Sequence, residues 1–447
     1  MKNILFVLLA ATGLMACSSR HDYTRFTHDP VLYAKTVKRL NDVVLQNNFP
    51  PMIASRNYAY ANIAAYECMA AGDSSYASLS GQIRHLPAMP KPPAGEVIDF
   101  SLAALLSFVK VGNAVTFPEG VLMGYWKALQ DSAQEAGMPA DVMAHTIAFS
   151  DTISAAVLKW SKKDNYAQTR SAEKYSVSNE DGRWVPTPPA YAQGLEPHWS
   201  EIRPLLMDSA GQFAAPMPPR FDMKNKASRF YTELTEVQNT VDHLTEEQKL
   251  IAEFFDDNPF NLHVAGHLMY ATKKFSPPGH WMNIVGIAAQ KAKADFNKTV
   301  ASYTATSIAL FDGFIACWKC KYKCNTIRPE TVINKYLDAT WQPYIQTPPF
   351  PSYVSGHSVI SAASAEVMTN FFGDNFAYTD SSEAEFGIPN RSFKSFRAAA
   401  LEASWSRLYG GIHYRSDLEQ GNLVGKHIGE FVVQRLRLKK ETGLSRR

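Results

Sequence analysis

Apolar residues recur at spacings of three and four along most of this chain, and alternating apolar and polar runs are scarce, which is the pattern of helices that bury one face. It predicts helices over 31–48, 52–71, 98–111, 119–137, 139–162, 226–241, 246–257, 281–324, 357–372, 392–408 and 416–437. Little strand is left to assign. The stretch 163–221 has no clear period and is rich in Pro, Tyr, Trp and Ser, including Pro186-Thr187-Pro188-Pro189 and Pro216-Met217-Pro218-Pro219. Such a segment is either a long ordered loop wrapped over the helices or the boundary between two bundles. The sequence has no internal repeat, low-complexity run or charge block, and its basic end, with Lys439, Lys440, Arg446 and Arg447, reads as a solvated tail.

Composition narrows the class. Of 447 residues, 46% are hydrophobic and 19% charged, which excludes a disordered chain. The 45 Lys and Arg stand against 42 Asp and Glu, a net charge of +3 that is too balanced for a nucleic-acid-binding protein. A mean hydropathy of -0.22 excludes a polytopic membrane protein. The 20 Tyr and 25 Phe point to an aromatic-lined interior or cleft.

At the N-terminus, Lys2 precedes an apolar run from Ile4 to Ala16, whose thirteen residues fall short of the about 20 needed to span a bilayer. It reads as a signal segment over residues 1–17. Leu14-Met15-Ala16-Cys17 resembles the bacterial lipoprotein processing box, which implies lipidation of Cys17, attachment to a membrane through that anchor, and an outer-membrane location facing the periplasm or the exterior. The plainer alternative is an ordinary secretory signal with an incidental cysteine. Cys68, Cys317, Cys320 and Cys324 remain. The last three have a metal-like C-x2-C-x3-C spacing but share one predicted helix with no second ligand group, so they read as core thiols, or as one disulfide with Cys68. His263 and His267, four apart, lack a third ligand and read as a core or surface pair.

The last third of the chain holds three groups of residues suited to a tetrahedral oxyanion. In Lys321-Tyr322-Lys323-Cys324-Asn325-Thr326-Ile327-Arg328-Pro329, Lys321 and Arg328 are seven apart and would return to one helix face, with Pro329 ending the helix. The alternative is two solvated cations at a helix C-terminus. In Phe350-Pro351-Ser352-Tyr353-Val354-Ser355-Gly356-His357-Ser358, Ser355 and Gly356 offer a hydroxyl and a backbone N–H at a helix start, with His357 at the rim to transfer a proton. The alternative is a capping serine and a surface histidine. In Ser406-Arg407-Leu408-Tyr409-Gly410-Gly411-Ile412-His413-Tyr414-Arg415-Ser416-Asp417, the two glycines allow a reversal that brings His413 beside Arg407, and Asp417 is placed to fix the His413 tautomer through Nδ1. The alternative is a first-turn helix acid and a surface arginine.

In this order, Lys321-x6-Arg328-Pro329, Ser355-Gly356-His357 and Ser406-Arg407-x5-His413-x3-Asp417 resemble the three-part signature of the phosphatidic acid phosphatase type 2 and vanadium haloperoxidase superfamily. Val354 departs from the proline usual there and removes no functional group. Trp318, Pro348-Pro349-Phe350-Pro351, Ala252-Glu253-Phe254-Phe255-Asp256-Asp257, Pro278-Gly279-His280-Trp281 and Arg56-Asn57-Tyr58-Ala59 are similar to the haloperoxidase branch. The resemblance implies an all-α fold of two stacked helical bundles, an N-terminal domain over 18–245 and a C-terminal bundle over 246–447 that carries the site. It implies Lys321, Arg328, Ser355, Gly356 and Arg407 as the phosphate or vanadate cradle, with Phe350, Trp318 and His280 as pocket candidates.

Two chemistries share such a cradle. In a phosphatase, His413 attacks phosphorus, His357 protonates the leaving alkoxide, and neither a metal cation nor a cofactor is needed. In a haloperoxidase, vanadate occupies the site on His413 and peroxide oxidises halide. Because superfamily members on exported bacterial lipoproteins are commonly taken to be phosphatases, hydrolysis of a small phosphorylated or lipid phosphate substrate is the leading expectation here and haloperoxidation the alternative. A non-catalytic phosphate-binding lipoprotein is a third reading, disfavoured by the presence of both histidines and Asp417. The loops 163–221 and 373–391 are expected to build the pocket entrance.

Overall fold

A computed structural model describes residues 22–440 apart from 119, 260, 266 and 267, and only the backbone of the rest of 260–272. The signal segment with Cys17, His267 and the end of the basic tail lie outside the described residues.

Helices dominate, and among the described residues strand is confined to two short antiparallel hairpins, Asn261–Ala265 with Leu268–Thr272 and Tyr378–Asp380 with Arg391–Phe393. His263 lies in the first of these strands. The central element is the helix Phe296–Cys324, started by Asp295, whose side chain accepts the N–H of Lys298 at 2.7 Å. It is long and apolar enough to cross a membrane, yet it is buried within the protein and serves as the core rod. On one side it packs on Pro51–Gly72, which also packs on Phe100–Val115 and Ala140–Ser161. On the other it packs on Gly356–Phe372 and Arg415–Arg435. One hydrophobic core runs through both sides, from Tyr33 to Leu436.

The pairing of Gly356–Phe372 with Arg415–Arg435 is close because of glycine: a Cβ at Gly425 would lie 2.0 Å from the Val359 carbonyl oxygen. That close approach seats the start of Gly356–Phe372 beside the Asp417 turn, where the Ser355 N–H donates to the Asp417 carbonyl at 3.0 Å.

One expectation needs correction: the single helix over 281–324 is two, Pro277–Lys291 and Phe296–Cys324, because Lys293 turns left-handed (φ 50°) and Asp295 caps a new start. The 163–221 stretch is the ordered loop over the helices, with a short helix at Tyr166–Ser171, and the core rod orders it. Buried Asp312 accepts the N–H groups of Leu205, Leu206 and Met207 at 2.7, 2.9 and 3.0 Å, while Trp318 Nε1 and Tyr322 OH donate to the Leu195 carbonyl at 3.1 and 2.6 Å. The segment is a strap over the helix ends. Cys68, Cys317, Cys320 and Cys324 are buried free thiols, so no disulfide with Cys68 forms.

Candidate active site

Lys321 occupies the last turn of Phe296–Cys324. Arg328 reaches it by a route different from the one the spacing predicts. The helix stops at Cys324, Asn325 reverses the chain in a left-handed conformation (φ 49°), and Arg328 becomes the cap residue of Pro329–Tyr336. The two cations converge through a turn, not along one helix face. Arg407 comes from the end of Phe396–Tyr409, and His413 follows the Gly410-Gly411 reversal, with Gly411 at φ 78°.

All three cations are buried, and among the described residues none forms an ion pair with a carboxylate. Backbone oxygens hold them instead. Lys321 Nζ donates to the Pro351 and Ser352 carbonyls at 2.9 and 2.8 Å. Arg328 donates through Nε to Phe350 O at 2.9 Å and through Nη1 to Ile412 O at 2.7 Å, and its buried Nη2 has no partner. Arg407 Nη2 donates to Phe255 O at 2.5 Å. Burial pulls all three below their usual range, Lys321 to about 7 and Arg328 to about 10, and it outweighs the opposing pull of Asp417 on Lys321 and Arg328 and of Asp256 and Asp257 on Arg407. The cradle therefore carries positive charge that a bound anion would stabilise.

His413 stands between them with a fixed tautomer. Its Nδ1 donates to Asp417 Oδ2 at 2.8 Å, and its Nε2 accepts from Arg328 Nη1 at 3.1 Å. Burial, followed by the charges of Arg328, Lys321 and Arg407, drives the ring well below the usual histidine range, so it is neutral with its Nε2 lone pair inside the cradle. Ser352, which the motifs did not single out, also donates to Asp417 Oδ2 at 2.5 Å. Ser355 caps Gly356–Phe372 by accepting the Ser358 N–H at 3.3 Å, leaving its hydroxyl proton available.

His357 lies at the pocket wall but is largely buried rather than on an open rim, with 15% of its side chain exposed. Its Nε2 is 3.3 Å from Asp257 Oδ2. Desolvation and the Arg407 charge lower it to about 4, so the ring is neutral at pH 7. Asp257 was legible only as part of the 252–257 stretch.

The pocket over this cradle is walled by Leu195, Phe314, Trp318, Pro348 and Phe350, with Gly356, His357, Arg407 and His413 at its base. Phe350 lies against Trp318 with ring centroids 5.0 Å apart, and Lys321 and Arg328 sit 5.0 and 5.1 Å from its centroid. Two pocket expectations need correction. His280 does not line the pocket: it is buried behind Asp257, with Nδ1 2.9 Å from Asp257 Oδ1. Of the two loops expected at the entrance, only 163–221 contributes, through Leu195; segments 256–259 and 346–350 also line the pocket, and 373–391 instead sends Asp380 behind His280.

The family model described as the VCPO second helical-bundle domain matches residues 301–440. A solved structure described as the first bacterial vanadium-dependent iodoperoxidase is similar at 41% identity and a TM-score of 0.87, covering 92% of this chain and 98% of that one. Holo and apo forms of a bacterial vanadium-dependent chloroperoxidase share the fold at 15% identity, with TM-scores of 0.64 and 0.65, covering 87% of this chain and 93% and 95% of theirs. No curated protein matches the sequence.

Proposed function

The chain belongs to the vanadium-dependent haloperoxidase superfamily, and from that premise we propose that it is a vanadate-dependent haloperoxidase that oxidises iodide with hydrogen peroxide. The observation that carries this reading is the set of three buried cations around the His413 Nε2 lone pair, none paired with a carboxylate among the described residues. The likeness to an iodoperoxidase at 41% identity supports the choice of halide.

The residues present fit vanadate. Unpartnered Arg328 Nη2, the Lys321 and Arg407 cations, the free Ser355 hydroxyl proton and the Gly356 N–H form an oxyanion cradle with a nitrogen lone pair at its base. Vanadate held there supplies a Lewis-acidic oxide centre that activates peroxide towards halide. Asp417 keeps the Nδ1 proton of His413, so Nε2 stays available as a ligand. His357, neutral and backed by ionised Asp257, accepts a proton from entering hydrogen peroxide, and Asp257 stabilises the imidazolium that results. Leu195, Phe314, Trp318 and Phe350 exclude water above the cradle, which favours the large and weakly hydrated iodide ion.

The likeness to an iodoperoxidase also weighs against phosphoester hydrolysis, the reading the sequence favoured. The test is a head-to-head assay on one preparation. Vanadate-loaded protein should oxidise iodide with peroxide and show little p-nitrophenyl phosphate hydrolysis; efficient hydrolysis without peroxide-dependent iodide oxidation would reverse the assignment.

Export with lipidation at Cys17 belongs to the same proposal and is supported by the Leu14-Met15-Ala16-Cys17 sequence. Mass spectrometry of the mature N-terminus should find a diacylglyceryl cysteine; an unmodified Cys17 would refute it.

A further inference from the structure

Behind His357, on the far side of Asp257, lies a second buried cluster whose other members, His280, Asp380 and Glu383, have no part in the proposed haloperoxidase chemistry. Asp257, at φ 44° in a left-handed conformation rare outside glycine, turns Oδ1 towards Nδ1 of His280 at 2.9 Å. On the far side of the same ring, Nε2 donates to Asp380 Oδ2 at 2.9 Å. Glu383 Oε1 lies 3.9 Å from His280 Nδ1. Glu383 is fully buried, and among the described residues neither of its carboxylate oxygens has a hydrogen-bond partner. The His280–Asp257–Asp380 contacts explain one another, whereas Glu383 has only the longer approach to His280.

We propose that Asp257, His280 and Glu383 form a closed binding site for a first-row divalent cation such as zinc, with Asp380 orienting the histidine ligand.

One donor atom from each of the three side chains lies within 4.8 Å of the other two. Donors that share an ion at about 2.0–2.1 Å stand about 3.3 Å apart, so the ion enters with small side-chain shifts. Asp257 Oδ1, His280 Nδ1 and both Glu383 oxygens offer four donor atoms. The arrangement of Asp380 on the other ring nitrogen matches the carboxylate–histidine pairing that fixes the tautomer of metal-bound imidazoles. Mixed nitrogen and carboxylate donors suit zinc or manganese better than calcium or magnesium. The rings of Phe254 and Phe255 pack 5.4 and 5.6 Å from the His280 ring and keep the site dry.

The inference is independent of the reaction at His413. The full chain, produced in zinc-supplemented culture and purified without chelator, should carry about one zinc per chain by elemental analysis. E383Q, which preserves shape and removes the charge, should lower that content at least about tenfold, and D380N should weaken zinc binding by about ten- to a hundredfold. H413A should retain all of it. A crystal of the wild type should show an anomalous zinc peak among the three side chains. Wild type without stoichiometric zinc, E383Q with undiminished zinc, or a zinc peak only elsewhere would overturn the proposal.

Discussion

On one side of His357 the protein buries Lys321, Arg328 and Arg407, held by backbone carbonyls; on the other it buries Asp257, Asp380 and Glu383 around the single ring of His280. Both clusters are costly to desolvate, and they settle that cost differently. The acidic cluster is compensated from within, since an imidazolium bridges two of its carboxylates, and among the described residues Glu383 is left without a hydrogen bond. In the cationic cluster no carboxylate among the described residues stands at ion-pair distance from a cation, since Asp417 is taken up by His413, and the cations shift towards neutrality. The difference identifies which cluster is built for an anionic ligand: buried charges that the protein does not balance are balanced by what it binds.

Variants on either side of His357 separate the two roles. The largest effect belongs to H413A, which removes the nitrogen at the centre of the cradle and should lower iodide oxidation by about a thousandfold or more in steady-state assays. H357A should cost about a hundred- to ten-thousandfold in kcat while vanadate affinity changes far less, because the proton acceptor goes and the cradle stays. Equal losses in both would merge the roles and break the comparison. R407A should weaken vanadate binding by about 1.5–3 kcal/mol, the worth of a charge-assisted hydrogen bond, as read by equilibrium titration.

Lys321 sharpens the comparison through pH. Burial lowers its ammonium to about 7 in the free protein, so the charged fraction declines as pH rises through that value. Vanadate affinity should therefore fall as pH rises through about 7, and K321R, which stays charged, should flatten the fall relative to wild type. The smallest effect is that of S352A, which removes one donor to Asp417 and should cost about 1 kcal/mol in kcat/KM.

Much of the cationic side was legible in the sequence, because short segments carry its chemistry: a turn glycine pair before His413, an acid four residues on, and a serine-glycine step at a helix start. The path by which Arg328 arrives was not, since a left-handed Asn325 leaves the same spacing as a continuous helix would. The acidic side was almost invisible. Asp257, His280, Asp380 and Glu383 span 126 positions, Glu383 minus Asp257, and meet only through packing of three separate elements. Helix existence followed the apolar period, whereas the break at Lys293 and the order of the 163–221 strap depend on a backbone reversal and on three N–H groups gathered by Asp312. Neither leaves a period to read.

The central claim is that the cationic cradle is a vanadate site whose occupancy makes the protein an iodide-oxidising enzyme. The most direct test is to titrate vanadate-free protein with orthovanadate while following peroxide-dependent iodide oxidation, with inorganic phosphate as competitor. The account predicts activity that rises in proportion to occupancy, saturates at about one vanadate per chain and is suppressed by phosphate competing for the same cations. Iodide oxidation indifferent to vanadate, or stoichiometric vanadate binding that confers none, would contradict it.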